Sequence, residues 1–452
     1  MSEGAVSSIV TSPKQSTLKT NTFHHCIIAV VLCLTMGSTA MSQETDLFKQ
    51  FDDTAIVSHE QHPADATPIT AKKWNQWKFK GFTMNLGLAF LLDHNILNQD
   101  AENIQQIGKV EPGTEFRGER IVLTGTIDVF KLPWKYMFSA NFNGLDAPQG
   151  KKSFDLIDWN VEIPLRNKAG WLTVGKQKEG VGHEYIMPGT QGQFMERGSG
   201  APMLIRQRNI GVRYSNSVLN QRMTYTIGFF NNWWETGKSF SDNGSQVTAR
   251  VSYLPVYESD RKLMHVAVGF RHTGATDGKL SYKAKPEANT APSFISTGSF
   301  DAKGANTLML EWIGVNGPVT VIGEYMNAAV KSSSKGDPNL SYFQIGGSWF
   351  ATGENRRYNK NSGNLGKLVP KRNFKFRNGS GPGAIELGSR FTRADARSQG
   401  LDGGTFNRFT VALGWNPNAH FRYEINYGRG RLERDGVIGK TNFWQFRAQF
   451  EL

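Results

Sequence analysis

The chain has 452 residues, a formal net charge of +13, 38% hydrophobic residues and a mean hydropathy of −0.43. Such values suit an ordinary soluble protein, and composition alone gives no sign of a membrane. The one strongly apolar run, Ile27 to Leu34, is too short to cross a bilayer as a helix, which takes about 20 apolar residues.

That run follows Lys14 and Lys19 and precedes Gly37, Ser38, Thr39 and Ala40, the layout of a secretory leader. Residues 1–42 are therefore expected to be a signal peptide, cleaved after Ala40 or Ser42. Both cysteines, Cys26 and Cys33, fall inside it, and Leu32 before Cys33 argues against a lipoprotein site. The mature chain then has no disulfide, and its stability must come from a core or from closed sheet hydrogen bonding. Losing Lys14, Lys19 and Glu3 lowers the net charge by only one.

Residues 43–77 are polar, lack periodicity and read as a short N-terminal periplasmic linker. His59, Glu60 and His62 within it match no zinc spacing. No metal and no cofactor is expected anywhere in the chain.

From residue 78 to 452 the dominant signal is two-residue alternation. It is clearest where Trp444, Phe446, Ala448 and Phe450 alternate with Gln445, Arg447, Gln449 and Glu451, one face greasy and the other wet. Candidate strands lie near 78–92, 117–130, 134–143, 153–164, 170–177, 205–216, 220–230 and 246–255. Eight more lie near 262–272, 305–315, 318–327, 339–350, 384–393, 405–415, 419–428 and 440–452. The count is sixteen.

The connections alternate in length: 131–133, 165–169, 217–219, 256–261, 316–317 and 416–418 are short, whereas 93–116, 178–204 and 273–304 are long. Short periplasmic turns and long outer loops are the habit of transmembrane barrels. The expected fold is all-β, a transmembrane antiparallel β-barrel of about 16 strands. Ala351 to Gly383 breaks the alternation, filling a short-turn slot with eight basic residues and one acid, Glu354. A basic flap, extended strand ends and a missed strand pair all remain open readings of it. In hydrocarbon a sheet must close on itself to pair its backbone, and Trp134, Trp171, Trp233, Trp234, Trp415 and Trp444 near strand ends suit interfacial girdles.

The wet face carries Arg120, Lys135, Arg213, Arg222, Arg250, Arg271, Arg390, Arg408, Arg422 and Arg447 against Asp128, Asp158, Glu162, Glu311, Glu324, Glu386, Glu424 and Glu451. Arginine presents permanent charge in a planar fork that suits phosphate or carboxylate, and rings of charge set pore selectivity. The competing reading is that most of these pair across strands and hold the wall. An enzyme needs a convergent nucleophile and base, but His94, His183 and His265 are dispersed, so no catalytic residue is assigned. A sugar or polymer channel, with Tyr342 and Phe130 as a slide, stays open as an alternative.

Several islands resemble the phosphate-selective porin O and P family: Trp171-Leu-Thr-Val-Gly-Lys-Gln-Lys178, Phe194-Met-Glu-Arg197, Arg208-Asn-Ile-Gly-Val212 and Thr224 to Asn231. Farther on come Thr352-Gly-Glu354, Gly383 to Leu387, Arg390-Phe391 and Trp415-Asn-Pro-Asn418. They cover most of the barrel in the family's order, although the chain ends Phe450-Glu-Leu452 where such barrels usually end in an aromatic residue. The resemblance implies a homotrimeric, sixteen-stranded channel in the outer membrane of a Gram-negative bacterium. It implies passive diffusion of small anions such as phosphate past lumen arginines and lysines, with outer-membrane lipid around it and no nucleic acid. It also implies an inward-folded third loop, 178–204. Lys178, His183, Glu196 and Arg197 there form the candidate constriction, and Glu196 and Arg197 either line the narrowest point or brace the loop against the wall.

Overall fold

A computed structural model of the protein describes residues 74–142, 154–374, 380–398 and 400–452. The expected leader and nearly all of the expected linker lie outside those residues. The described chain forms a ring of sixteen antiparallel strands: β1 (Phe82–Gln99), β2 (Gly113–Val129), β3 (Leu132–Phe142), β4 (Phe154–Pro164), β5 (Trp171–Gln177), β6 (Asn209–Val218), β7 (Met223–Phe230) and β8 (Gln246–Ser259). The ring continues with β9 (Lys262–Gly274), β10 (Gly304–Asn316), β11 (Val319–Lys331), β12 (Asn339–Phe350), β13 (Ala384–Ser398), β14 (Leu401–Asn416), β15 (Phe421–Arg434) and β16 (Val437–Glu451).

Each strand pairs with the next, and β16 returns to β1 with a register running from Ala89↔Glu451 to Gln99↔Thr441. Closure leaves no open edge, which is what lets a sheet sit in hydrocarbon. Side chains obey the alternation. Leu308, Leu310 and Trp312 are 47%, 44% and 39% exposed on the outer wall, while Met309 and Glu311 between them are 0% and 4% exposed.

Several observed strand ends differ from the expected ones; β1, for example, runs on to Gln99, past the expected end near 92. The expected start near residue 78 falls in a separate short strand, Gln76–Phe79, which folds back on β1 from Gln76↔Asn85 to Phe79↔Phe82. It carries the seam on below the carboxyl terminus, where the Leu452 amide donates to Leu88 at 2.8 Å. Strands β13 to β16 extend farther than expected, so that Ser398 pairs with Leu401 and 435–436 is a two-residue link at the loop end. The polar residues there alternate too weakly with apolar ones to be read as strand.

The described residues of the segment 351–383, which are 351–374 and 380–383, add no strand pair to the wall. They enter the barrel from the turn end, with a small hairpin of Tyr358–Asn359 against Asn364–Leu365. The third loop and a hairpin of the loop 275–303, Lys279–Ala284 paired with Ile295–Asp301, enter from the loop end. Their apolar residues, among them Ala201, Leu204, Ile205, Phe294 and Ile295, pack on inward Met309, Met326, Tyr342, Phe406 and Phe443 as one hydrophobic cluster. Part of the lumen behind the wet face is thus packed solid, and this cluster is its core.

The aromatic girdle is also smaller than expected by one residue. Trp171 stands on the inner face beside Thr173, with Lys135 Nζ 4.1 Å from its ring centroid. Trp415 and Trp444 face outward, stacked on or tilted against Tyr423 and Tyr427.

Candidate functional site

The third loop crosses the lumen because of what its backbone and side chains meet there. Gly198 and Gly200 lie so close to the Tyr342 ring that a Cβ at either would collide with it. The Glu184 carboxylate accepts from the Gly198 amide (2.9 Å) and from Arg390 Nη1 of β13 (2.9 Å). Glu196 receives Arg117 Nε of β2 at 2.7 Å and Arg447 Nη2 of β16 at 3.1 Å. Burial pushes the Glu196 carboxyl up, but Arg117 and Arg447 outweigh it and hold the group at about 2.

Glu196 therefore braces the loop against the wall. Arg197 turns back on its own loop, donating to the carbonyls of Glu184 (2.6 Å) and Met187 (3.2 Å) beneath the Tyr185 ring. His183 is wholly buried; its amide donates to Glu324 at 2.8 Å. Loss of solvent at His183 pulls its imidazole down to about 3, so it is neutral at physiological pH.

Most wall arginines are paired. Arg250 forms a two-point contact with Glu311 (2.9 and 2.7 Å), Arg271 with Glu179 (2.6 and 3.0 Å), and Arg447 with Asp93 (2.7 and 2.6 Å). Arg422 meets Glu424 at 2.7 Å, and Arg390 meets Glu184 and Glu287. Arg408 donates to Gln445 (2.5 Å) and to the carbonyls of Pro286 and Glu287. Lys135 lies 3.8 Å from Glu162. Arg222, expected on the wet wall, sits in the turn before β7, exposed at the rim, where it donates to the Tyr257 carbonyl at 3.2 Å.

Open space lies on both sides of the third loop. One cavity of about 810 Å³ runs between the third loop and β3 to β8, lined by Lys178, Arg208, Arg213 and Arg250 with Asp158 as its acid, and by Asn361, Ser362 and Asn364 of the turn-end hairpin. A small cavity of about 340 Å³ touches Arg120, Asp158 and Arg208. On the other side of the loop a cavity of about 720 Å³ touches Arg117, Arg120, Arg197, Arg390 and Arg447. Arg120 and Arg208 are thus shared between neighbouring cavities. Arg213 donates to the Lys178 carbonyl at 2.9 Å, and Lys178 Nζ donates to the carbonyls of Ile186 (3.3 Å) and Met187 (3.1 Å).

Sequence reasoning missed several of these groups. Arg117 reaches the inner face only because the register shifts between Leu91 and Leu92, which no alternation count predicts. Arg208 precedes β6 and contacts Asp158 at 3.3 Å. Arg356 of the turn-end segment donates to the Gln191 carbonyl and to Glu386, both at 2.6 Å, tying that segment to the third loop. Glu287 comes from the far loop with no pattern around it. The two aromatics considered for a sugar slide lie off the open path: Phe130 is 86% exposed in a turn and Tyr342 is buried under the third loop.

Among solved structures, the chain resembles the loop L8 deletion mutant of OmpT from Vibrio cholerae, with TM-score 0.53 and 11% identity over 82% of this chain and 100% of that one. It also resembles the anion-selective porin from Comamonas acidovorans, with TM-score 0.51 and 12% identity over 82% of this chain and 100% of that one. The outer-membrane channel DcaP of Acinetobacter baumannii gives TM-score 0.51 and 13% identity over 83% and 99%. Identities this low establish the shared barrel fold and nothing finer. In sequence, an uncharacterized protein of Caulobacter vibrioides is 24% identical over 273 residues, 57% of this chain, so that the chain matches about half (53%) of that relative's length. The family model for phosphate-selective porin O and P matches residues 85–452, which is the whole barrel from within β1 to the last residue. The chain belongs to the phosphate-selective porin O and P family.

Proposed function

We propose that this porin passes small anions, phosphate among them, past the third loop along the strands β3 to β8, as a homotrimer exported by a leader at residues 1–42. The observation that carries the reading is the 810 Å³ cavity, where four cations face one acid. Arg208 and Asp158 offset each other there, and Arg250 is matched by Glu311. The hydrogen bond of Arg213 goes to a backbone carbonyl, which fixes the guanidinium without cancelling its charge. A fixed positive charge at a low-dielectric narrowing raises the local concentration of anions and repels cations. The family name points the same way, and so does the anion-selective porin that shares the fold. Assembly as a trimer draws support from OmpT of Vibrio cholerae, solved in a trimer form.

The test is reversal potential in planar bilayers under a salt gradient for Arg213→Glu, with Arg222→Glu at the exposed rim as control. The first shifts the potential toward cations and the second leaves it unchanged. An unchanged potential for Arg213→Glu removes this cavity from the selective path.

A further inference from the structure

At the tip of the loop 275–303, Glu287 enters the lumen and sits where a free anion would be expected. Its carboxylate accepts from Arg390 Nη2 (2.6 Å), Thr392 Oγ1 (2.6 Å) and the Ser199 amide (3.3 Å), with Arg408 Nε 3.7 Å away. These donors come from three separate parts of the chain: β13, β14 and the third loop. Glu287 is a non-glycine residue at φ +60°, a left-handed conformation that side chains adopt rarely and chiefly where surrounding contacts impose it. The hairpin itself is anchored elsewhere, by Phe294 packed among Phe406 and Phe443, and by the Glu287 carbonyl, which accepts from Arg408 and Gln445. The hairpin therefore has holds on the wall that do not use the Glu287 carboxylate.

A second observation indicates that the site holds more donors than its occupant uses. Arg390 Nε and Ser199 Oγ are buried and have no hydrogen-bond partner among the described residues, a costly state for polar atoms. Arg390 also lines the 720 Å³ cavity together with Arg117, Arg120 and Arg447 and the acids Glu184 and Glu196, so a solute in that cavity can reach it.

We infer that Arg390, Arg408, Thr392 and the Ser199 amide form a carboxylate-binding site that the chain's own Glu287 occupies, and that a small carboxylate solute in the adjoining cavity competes with it. The occupant defines the ligand class, because the group already seated is a carboxylate in a two-oxygen contact. A tethered competitor acts at an effective concentration on the order of millimolar or above, which keeps the site closed to dilute solutes. The inference rests on the channel reading only for how a solute arrives.

The experiment is line broadening of ¹³C-acetate by the detergent-solubilised full chain, with inorganic phosphate as comparison and chloride conductance measured separately. Glu287→Gln is expected to lower the half-saturating acetate concentration about tenfold or more, since the internal competitor is gone. Adding Thr392→Val to that variant is expected to raise it again. An acetate response equal to wild type, or a response to phosphate with none to acetate, overturns the inference. Should Glu287→Gln fail to give a heat-resistant folded band, Glu287→Asp replaces it. Its shortened carboxylate leaves the site more open, so tighter acetate binding than wild type supports the site and equal binding overturns it. Loss of chloride conductance in the wild type would instead count against the channel reading, leaving the acetate result to stand by itself.

Discussion

Arg447 and Asp93, 354 residues apart in sequence, form a two-point ion pair of 2.7 and 2.6 Å across the seam where β16 meets β1. Both side chains are almost wholly buried. A planar guanidinium matched to a carboxylate fixes relative position as well as charge, so this pair sets the register in which the first and last strands close.

Removing one partner of a buried pair leaves an uncompensated charge and costs about 3–5 kcal/mol. Asp93→Ala is expected to destabilise the barrel by that order, read as a lower temperature for loss of the compact band on unboiled gels. Replacing both residues with apolar ones is expected to recover much of the loss. A single variant as heat-stable as wild type would show that the seam closes without the pair.

Arg356 ties the turn-end segment to the third loop through the Gln191 carbonyl and Glu386. Arg356→Ala is expected to loosen both inward segments and to raise single-channel conductance, because the segment's Asn361, Ser362 and Asn364 line the main cavity. Conductance at or below the wild-type level would mean that this segment does not narrow the path.

The outer wall makes a prediction about lipid. Leu310, mid-strand in β10, faces outward while Thr307 faces the lumen side, 2% exposed. Arginine at a lipid-facing midplane position costs roughly 2–4 kcal/mol. Leu310→Arg should lose about that much in folding into vesicles, whereas Leu310→Phe should lose little. Equal stabilities would place this face in protein contact and not in lipid.

His183 gives a pH dependence. Burial holds its imidazole at about 3 in the folded chain, against about 6.5 for an unperturbed histidine. The unfolded chain therefore takes up a proton that the folded one refuses, and stability falls as pH drops from about 6.5 toward 3. His183→Gln is expected to flatten that part of the stability profile, measured as denaturation midpoint at several pH values. A profile unchanged by the substitution would contradict neutral burial of this ring.

The wall was legible in the sequence because lipid outside and side chains inside impose a strict two-residue period. Trp444, Phe446 and Phe450 against Gln445 and Arg447 declare it without help from distant residues. The unusual length and charge of 351–383 were legible too, though not its direction. What stayed hidden depends on contacts between far parts of the chain. Arg117 turns inward through a register shift opposite Leu91, Glu287 arrives from a loop to meet Arg390, and Arg356 crosses to Gln191. The alternation also marks a residue as inward without saying what meets it there. Met309, Phe406 and Phe443 are inward and apolar because two loops cover them, and Arg222 keeps the inward parity yet lies at the exposed rim.

The proposed function requires that the closed ring enclose a positively biased path for solutes. Its most direct test is the reversal potential of the purified wild-type chain in a planar bilayer separating unequal concentrations of potassium chloride. Stepwise insertion of conducting units is expected, with a potential of the sign that marks chloride as the more permeant ion. A potential marking potassium as the more permeant ion, or a folded protein that inserts and conducts nothing, would contradict it.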